Sequence, residues 1–365
     1  MNFVSILILI FCMLGALDRI FGNRFGLGKE FEKGFLLLGS MSLSMIGMII
    51  ISPLIADLLT PCFSFVHKTF KIDPSIIPAS LFANDMGGAS LAKEFAVDNR
   101  IGMFNGLVVS SMMGCTVTFT IPYALGTVKK ESQRELLLGL LCGIVTIPLG
   151  CLVSGLIAQF PLTALLINLL PLLLFSGIIA CGLLFFPDVC VKIFSVLGVI
   201  IKVLITLGLA LGVFKFMTGV QVIKGIDDIE EGALVCVNAA IVMSGSFPML
   251  YAISKLLSKP MKLLGRKLGI SEASAMGFVS TLASHIATLE SLNNMDKKGV
   301  MLNAAFVVSA AAAFASHLAF TMAFDASLLL EVVLGKLIAG MLALLLAILV
   351  YHRVNKKTAS ATRCS

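Results

Sequence analysis

Residues 136–187 contain no Asp, Glu, Lys or Arg. A run of that length cannot coat a soluble domain. It suffices for two helical crossings of a bilayer, each taking about 20 predominantly apolar residues. Further uncharged runs cover 1–17, 34–56, 101–128, 232–254 and 299–324. Of the 365 residues, 58% are apolar and only 13% charged, where an ordinary soluble domain has roughly 25% charged. Inside hydrocarbon every backbone N–H and C=O must be satisfied by protein, so runs like these are helices. The expected fold is all-α: a polytopic integral membrane protein with a single transmembrane domain over 1–365. The same composition excludes a soluble enzyme, a nucleic-acid binder and a disordered chain. The net charge of +7 is informative only through where the basic residues sit.

Nine crossings are predicted, near 3–17, 35–58, 101–125, 136–157, 163–186, 193–216, 232–254, 300–324 and 331–351. On this scheme most basic residues fall in segments of one side: Arg19, Arg24, Lys29 and Lys33; Lys129, Lys130 and Arg134; Lys192; Lys255 to Lys267; Lys297 and Lys298; and Arg353, Lys356, Lys357 and Arg363. The other side holds Lys68, Lys71, Lys93, Arg100 and Lys224. The positive-inside rule then puts the N-terminus outside and the C-terminus in the cytoplasm. The run at 3–17 has no basic segment before it and no A-x-A site after it, so it is read as an uncleaved first helix. Two apolar segments, 74–97 and 270–293, are left over. The second lies between basic segments that both belong inside, so it enters and leaves on one side. Two limbs of about 12 residues would each reach roughly 18 Å, the size of a re-entrant helical hairpin.

The halves of the chain resemble each other at a near-constant offset. Gly34 and Gly47 match Gly232 and Gly245, and Met103-Phe104-Asn105 matches Met301-Leu302-Asn303. Phe82-Ala83-Asn84-Asp85 aligns with Leu282-Ala283-Ser284-His285. An odd number of crossings separates the repeats, about 34–157 and 232–351, so they are inverted in the membrane. Inverted repeats with interrupted helices near the midplane are the pattern of secondary transporters.

Polar residues at membrane depth mark the candidate site. Asp85 sits mid-hairpin in Asn84-Asp85-Met86-Gly87-Gly88. Its carboxylate suits a cationic substrate or coupling ion, or else pairs with a buried Lys such as Lys202 or Lys336. Gly87 and Gly88 allow a tight turn. Asn105 and Asn303 follow the two hairpins and can serve a hydroxylated ligand or glue helices together. His285 and His317 could relay protons or simply pack. Lys336 could snorkel outward from its helix or lie buried as a partner of Asp85. The nine cysteines form no C-x-x-C pair and read as small packing residues. No metal-ligand spacing is present, and no cofactor is expected.

These segments resemble a known family. Gly22-Asn23-Arg24-Phe25-Gly26-Leu27-Gly28, the Asn84–Gly88 tip, Ser111-Met112-Met113-Gly114, Ile144-Val145-Thr146-Ile147-Pro148-Leu149-Gly150-Cys151 and His317-Leu318-Ala319-Phe320 together look like the bacterial ethanolamine permeases of the ethanolamine-utilisation system. The resemblance runs over essentially the whole chain. It implies a multi-pass protein of the cytoplasmic membrane that imports ethanolamine and has no enzymatic activity. On that reading Asp85 neutralises the ammonium while Asn84, Asn105, Ser284 and Asn303 bond the hydroxyl. Two motifs depart from the family pattern. Ala315-Ser316-His317-Leu318 stands where the family reads Gly-Asp-His-Leu, and Leu282-Ala283-Ser284-His285 where it reads Leu-Ala-Asn-Asn. The expected site set is Asn84, Asp85, Gly87, Gly88, Asn105, Ser284, His285, Asn303, Ser316 and His317. Either H+ or Na+ fits as coupling ion, and a homo-oligomer is compatible with such a chain. A passive channel on the same scaffold and a permease for another small amine are the alternatives. An intramembrane enzyme would need a catalytic pair, and Asp85 has no second intramembrane carboxylate beside it in sequence.

Overall fold

The computed structural model describes residues 3–361, so Arg363 and Cys364 lie outside the described residues. All regular structure among the described residues is helical. The first half of the chain comprises α1 (Phe3–Ile20), α2 (Leu27–Leu36), α3 (Leu38–Phe70), α4 (Ile76–Leu81), α5 (Gly88–Phe95), α6 (Asn99–Phe104), α7 (Ile121–Thr127), α8 (Gln133–Ile157) and α9 (Leu162–Phe185). The second half comprises α10 (Pro187–Thr218), α11 (Ile229–Leu268), α12 (Glu272–Ala283), α13 (His285–Ser291), α14 (Lys297–Ala310), α15 (Ser316–Phe324) and α16 (Leu329–Ala361). Between α6 and α7 the chain winds as π-helix over Asn105–Gly114 and Thr116–Thr120.

Eight helical stretches among the described residues are long and apolar enough to cross a membrane. The sequence predicts nine, and the difference lies at 300–324. Rather than one continuous crossing, that segment is α14 and α15 separated at residues 311–315. No Gly or Pro causes the break, because the interruption reads Ala311-Ala312-Ala313-Phe314-Ala315. A tertiary contact holds it open. The N–H of Ala312 donates to the Thr281 carbonyl at 2.8 Å, and that of Phe314 to the Leu282 carbonyl at 3.1 Å. These are last-turn carbonyls of α12, which its own helix leaves without a partner. Ala312 adopts φ 53°, a left-handed conformation that disfavours a Cβ by roughly 1–2 kcal/mol.

Each leftover segment is a helix–break–helix. α4 and α5 pack together, as do α12 and α13. These limbs have 6, 8, 12 and 7 residues, too short for any one of them to span a hydrocarbon core of about 30 Å. A carboxylate, buried at Asp73 and half-buried at Asp296, ties each hairpin at its base. Asp73 accepts from Ser75 N–H at 3.0 Å and Oγ at 2.6 Å, and from the N–H groups of Val97 and Asp98 at 3.0 Å each. It therefore joins the start of the first hairpin to its end. Asp296 does the same for the second, accepting from Ser271 N–H at 2.7 Å, Ser274 Oγ at 2.6 Å and Gly299 N–H at 3.1 Å. Burial pushes the Asp296 carboxyl up, but these hydrogen bonds outweigh it and hold the group below its ordinary value.

Around the hairpins, α8 packs between α9 on one side and α14 and α16 on the other. The α8–α14 seam is tight: a methyl placed on Gly139 would stand 2.3 Å from the Met301 carbonyl oxygen. Small residues at such seams let helices associate in lipid, where apolar burial gives no driving force. The outer faces of α9 and α10 expose Leu166, Leu173, Ile193 and Val203, as helices against lipid do.

Two expectations follow. Ala312→Gly relieves the left-handed strain and leaves stability unchanged or raised by about 1 kcal/mol, whereas in a continuous helix it would cost about 1 kcal/mol. Thermal unfolding in detergent distinguishes the two. Asp296→Ala removes an N-cap and is expected to cost about 0.5–2 kcal/mol. Because the folded-state group is depressed, its contribution is complete above the unfolded-state value and fades as pH falls through the folded one. The stability gap between wild type and Asp296→Ala therefore narrows in acid, and a pH-independent gap would contradict the clasp.

Candidate functional site

A cavity of about 530 Å3 lies where the two hairpin tips meet. The first tip forms because α4 ends at Leu81 and the chain runs extended through Phe82 and Ala83. A single 3-10 turn, Asn84–Met86, follows. The Ala83 carbonyl accepts from Met86 N–H at 3.0 Å and Gly88 N–H at 2.8 Å. Gly87, at φ 106°, turns the chain into α5, a conformation open to glycine and strained for other residues. The second tip is an extended Ser284, whose Oγ caps α13 at the Ala287 N–H.

Of the expected site residues, Asp85, Ser284, His285, Ser316 and His317 line this cavity together. Asp85 makes no ion pair within 4.0 Å among the described residues, which leaves its carboxylate free for a cation. Gly87 and Gly88 shape the tip from behind. Asn84 is fully buried beside the cavity and not part of its wall, and both polar atoms of its amide lack a partner.

Asn105 and Asn303 lie elsewhere. The Asn105 amide donates to Ser75 Oγ at 2.8 Å and exchanges bonds with Asn168. That of Asn303 donates to the carbonyls of Ser274 at 2.8 Å and Gly299 at 3.0 Å. Each fastens the base of its hairpin next to the aspartate clasp. Of the two roles open to them in sequence, the geometry supports glue.

Of the two placements open to it in sequence, Lys336 takes the buried one, without an ion pair to Asp85 within 4.0 Å. It is 0% exposed and points into the bundle from α16 instead of snorkelling out. Its Nζ donates to the Ser111 carbonyl at 2.7 Å and stands 3.1 Å from His317 Nδ1. A protonated Lys336 makes Nδ1 the acceptor and so places the ring proton of His317 on Nε2. A signal for it exists in the sequence: Lys336 is the only charge between Glu331 and Arg353. Cys115, between the two π-wound stretches, and Phe119, within the second, also line the cavity. Neither stands out in an apolar run. The Phe119 and His285 rings meet edge to face, centroids 4.3 Å apart. Cys115, His285 and His317 are near enough to one another to hold a metal ion.

The cavity opens on the side of α2. Lys33 and Phe247 line both it and an adjoining groove of about 460 Å3 that includes Glu30 and Tyr251. A separate pocket of about 320 Å3 is lined by Glu94, Asp227, Glu231 and Asp325, with Lys93 beside them. It shares no lining residue with the cavity.

Comparison with known proteins agrees over nearly the full length. The family described as "Ethanolamine utilisation protein, EutH" matches residues 1–350. The chain is 40% identical over 351 residues to "Probable ethanolamine permease EutH" of Listeria monocytogenes serotype 1/2a (strain 10403S), covering 96% of this chain and 94% of that protein. It is 34% identical over 398 residues to the protein of the same name from Escherichia coli (strain K12), covering 99% and 97%. It is 37% identical over 333 residues to "Uncharacterized protein YxeR" of Bacillus subtilis (strain 168), covering 91% and 90%. No solved structure matches. With its eight apolar spans and this full-length likeness, the chain belongs to the EutH family of ethanolamine utilisation proteins.

Proposed function

We propose that this protein is a permease that carries ethanolamine, as its ammonium ion, across the cytoplasmic membrane by alternating access. The observation that carries this reading is an unpaired Asp85 in the wall of a cavity enclosed by both hairpin tips. Related proteins named as ethanolamine permeases support the substrate. Asp85 neutralises the ammonium, while Ser284 and Ser316, both on the cavity wall, bond the hydroxyl. The serine hydroxyls both donate and accept, as an alcohol requires. Glycines at the first tip and backbone pairing at the second let unwound chain stand at membrane depth, as in secondary transporters built from inverted repeats.

The positive-inside assignment puts Arg19, Arg24, Lys29 and Lys33 in the cytoplasm. The cavity opens past Lys33, so this conformation faces inward. The acidic pocket of Glu94, Asp227, Glu231 and Asp325 then faces outward and concentrates cations at the entrance. The two share no wall, which favours a carrier with one side closed over a continuous channel.

Labelled ethanolamine uptake into proteoliposomes tests this. Saturable uptake with counterflow is expected, and flux that rises without saturation would sink the carrier reading. Asp85→Asn is expected to lose about 1.5–3 kcal/mol of ligand affinity, roughly a tenfold to hundredfold loss, with Asp85→Glu retaining part of the function. Unchanged uptake in Asp85→Asn would remove the counter-ion role.

A pH dependence follows at the entrance. Burial, and then the neighbouring Glu231, push the Asp227 carboxyl above its ordinary value, with Lys93 opposing. Asp227 therefore takes up its proton earlier than an ordinary carboxylate as external pH falls, and one negative charge leaves the mouth. KM for uptake should rise on mild acidification while the maximal rate holds. In Asp227→Asn the KM should already be raised at neutral pH and respond less to acid.

A further inference from the structure

Three potential metal ligands come together in the cavity from distant parts of the chain. Cys115 lies between the two π-wound stretches, His285 opens α13 at the second tip, and His317 lies in the first turn of α15. Their ligand atoms all lie within 4.8 Å of one another. All three face the same cavity, so an ion can reach them from solvent. His285 Nδ1 is buried and has no hydrogen-bond partner, the condition of a ligand atom waiting for an acceptor of its lone pair or proton. The Cys115 thiol is free of any disulfide.

We propose that Cys115, His285 and His317 form a binding site for a soft divalent transition-metal ion, Zn2+ or its heavier congener Cd2+. The inference rests on this ligand set and not on the identity of the transported substrate. One thiolate and two imidazoles are the donors such ions prefer over the oxygen-rich sets that suit Mg2+ or Ca2+. A tetrahedral site with bonds of about 2.0–2.3 Å has ligand atoms some 3.3–3.8 Å apart, so the three side chains need shifts of about 1 Å or less to close on an ion. Three protein ligands leave the fourth position open towards the cavity, as at Zn2+ sites that exchange a ligand.

The surroundings fit this set. Lys336 Nζ stands 3.1 Å from His317 Nδ1, so the metal reaches this ring through Nε2. Binding at Nε2 moves the ring proton to Nδ1, and Lys336 releases its ammonium proton to solvent so that its neutral amine accepts from Nδ1, a supporting contact of the kind that orients metal-bound imidazoles. The Lys336 amine keeps its own donation to the Ser111 carbonyl. Asp85, in the same cavity wall, contributes negative charge opposite the ion. Phe119 holds the His285 ring in place through its edge-to-face contact.

The ion would join three elements that the chain keeps separate: the stretch between α6 and α7, the second hairpin tip and α15. Any movement of the tip against α15 would stretch the metal–ligand bonds. A bound ion is therefore a lock on the conformation that opens past Lys33, and it occupies the space of the substrate.

The purified full-length protein, titrated with CdCl2, tests the site directly. Binding should be one to one, with the ultraviolet thiolate-to-cadmium charge-transfer band. Cys115→Ser should abolish the band, and His285→Asn should weaken Cd2+ and Zn2+ binding at least about tenfold. Cys181→Ser, at an exposed thiol outside the cavity, should leave both unchanged. Size-exclusion elution identical to wild type shows that each variant is folded. A second arm adds ZnCl2 to proteoliposomes. Zn2+ should lower uptake in wild type, and the ratio of uptake with and without Zn2+ should stay near one in Cys115→Ser whatever its basal rate. No band in the wild type, or a band that survives Cys115→Ser, overturns the site. The spectroscopic arm needs no transport, so it decides for or against the metal site even where the ethanolamine reading fails.

Discussion

Where the chain stops being helical inside the membrane, its freed backbone groups have no water to turn to, and the whole centre of this protein is arranged around that requirement. The second tip ends α12 at Ala283. The carbonyls left over at Thr281 and Leu282 are met by the N–H groups of Ala312 and Phe314. Without this pairing neither the tip nor the break between α14 and α15 could persist at depth. With it, Ser284, His285, Ser316 and His317 come to share one cavity. The first tip solves the same problem internally, by turning its amides back onto the Ala83 carbonyl.

The second organising feature is charge. A lysine with 0% exposure survives only with acceptors in reach, and Lys336 has a backbone carbonyl and an imidazole. It makes no ion pair with Asp85 within 4.0 Å among the described residues. The carboxylate is consequently left to the cavity, and the cation behind the wall orients His317. On the proposed reading, a direct Lys336–Asp85 pair would neutralise the carboxylate that holds the ammonium.

Much of this is legible in the sequence, and what is not legible shares a cause. The apolar runs locate the spans, and Asp85 between Asn84 and Gly87-Gly88 locates the first tip, because a charge in an apolar segment and a pair of glycines are both local signals. The break at 311–315 is invisible because alanines are strong helix formers and the partner carbonyls lie some 30 residues earlier, at Thr281 and Leu282. Asn105 and Asn303 stand out, yet an amide in an apolar helix looks the same whether it binds a ligand or Ser75 and Ser274. For Lys336 the sequence offers only a distance from the helix end, whereas the face of α16 that it occupies is set by packing against α8 and α14. Cys115 offers no cue among nine cysteines, since its meaning comes only from two histidines far away in the chain.

The separation of Lys336 from Asp85 has an electrical consequence. With the lysine protonated and the carboxylate ionised, Lys336 and Asp85 sum to zero around the empty cavity, and together with a bound ammonium they sum to plus one, while Lys33 stays at the mouth in both states. A membrane potential acts with about 2.3 kcal/mol per elementary charge for each 100 mV. On the proposed reading it drives the loaded protein inward and leaves the return of the empty one nearly indifferent to voltage. The two halves of the cycle would then answer to different forces, the first to the electric field and the second to thermal motion alone.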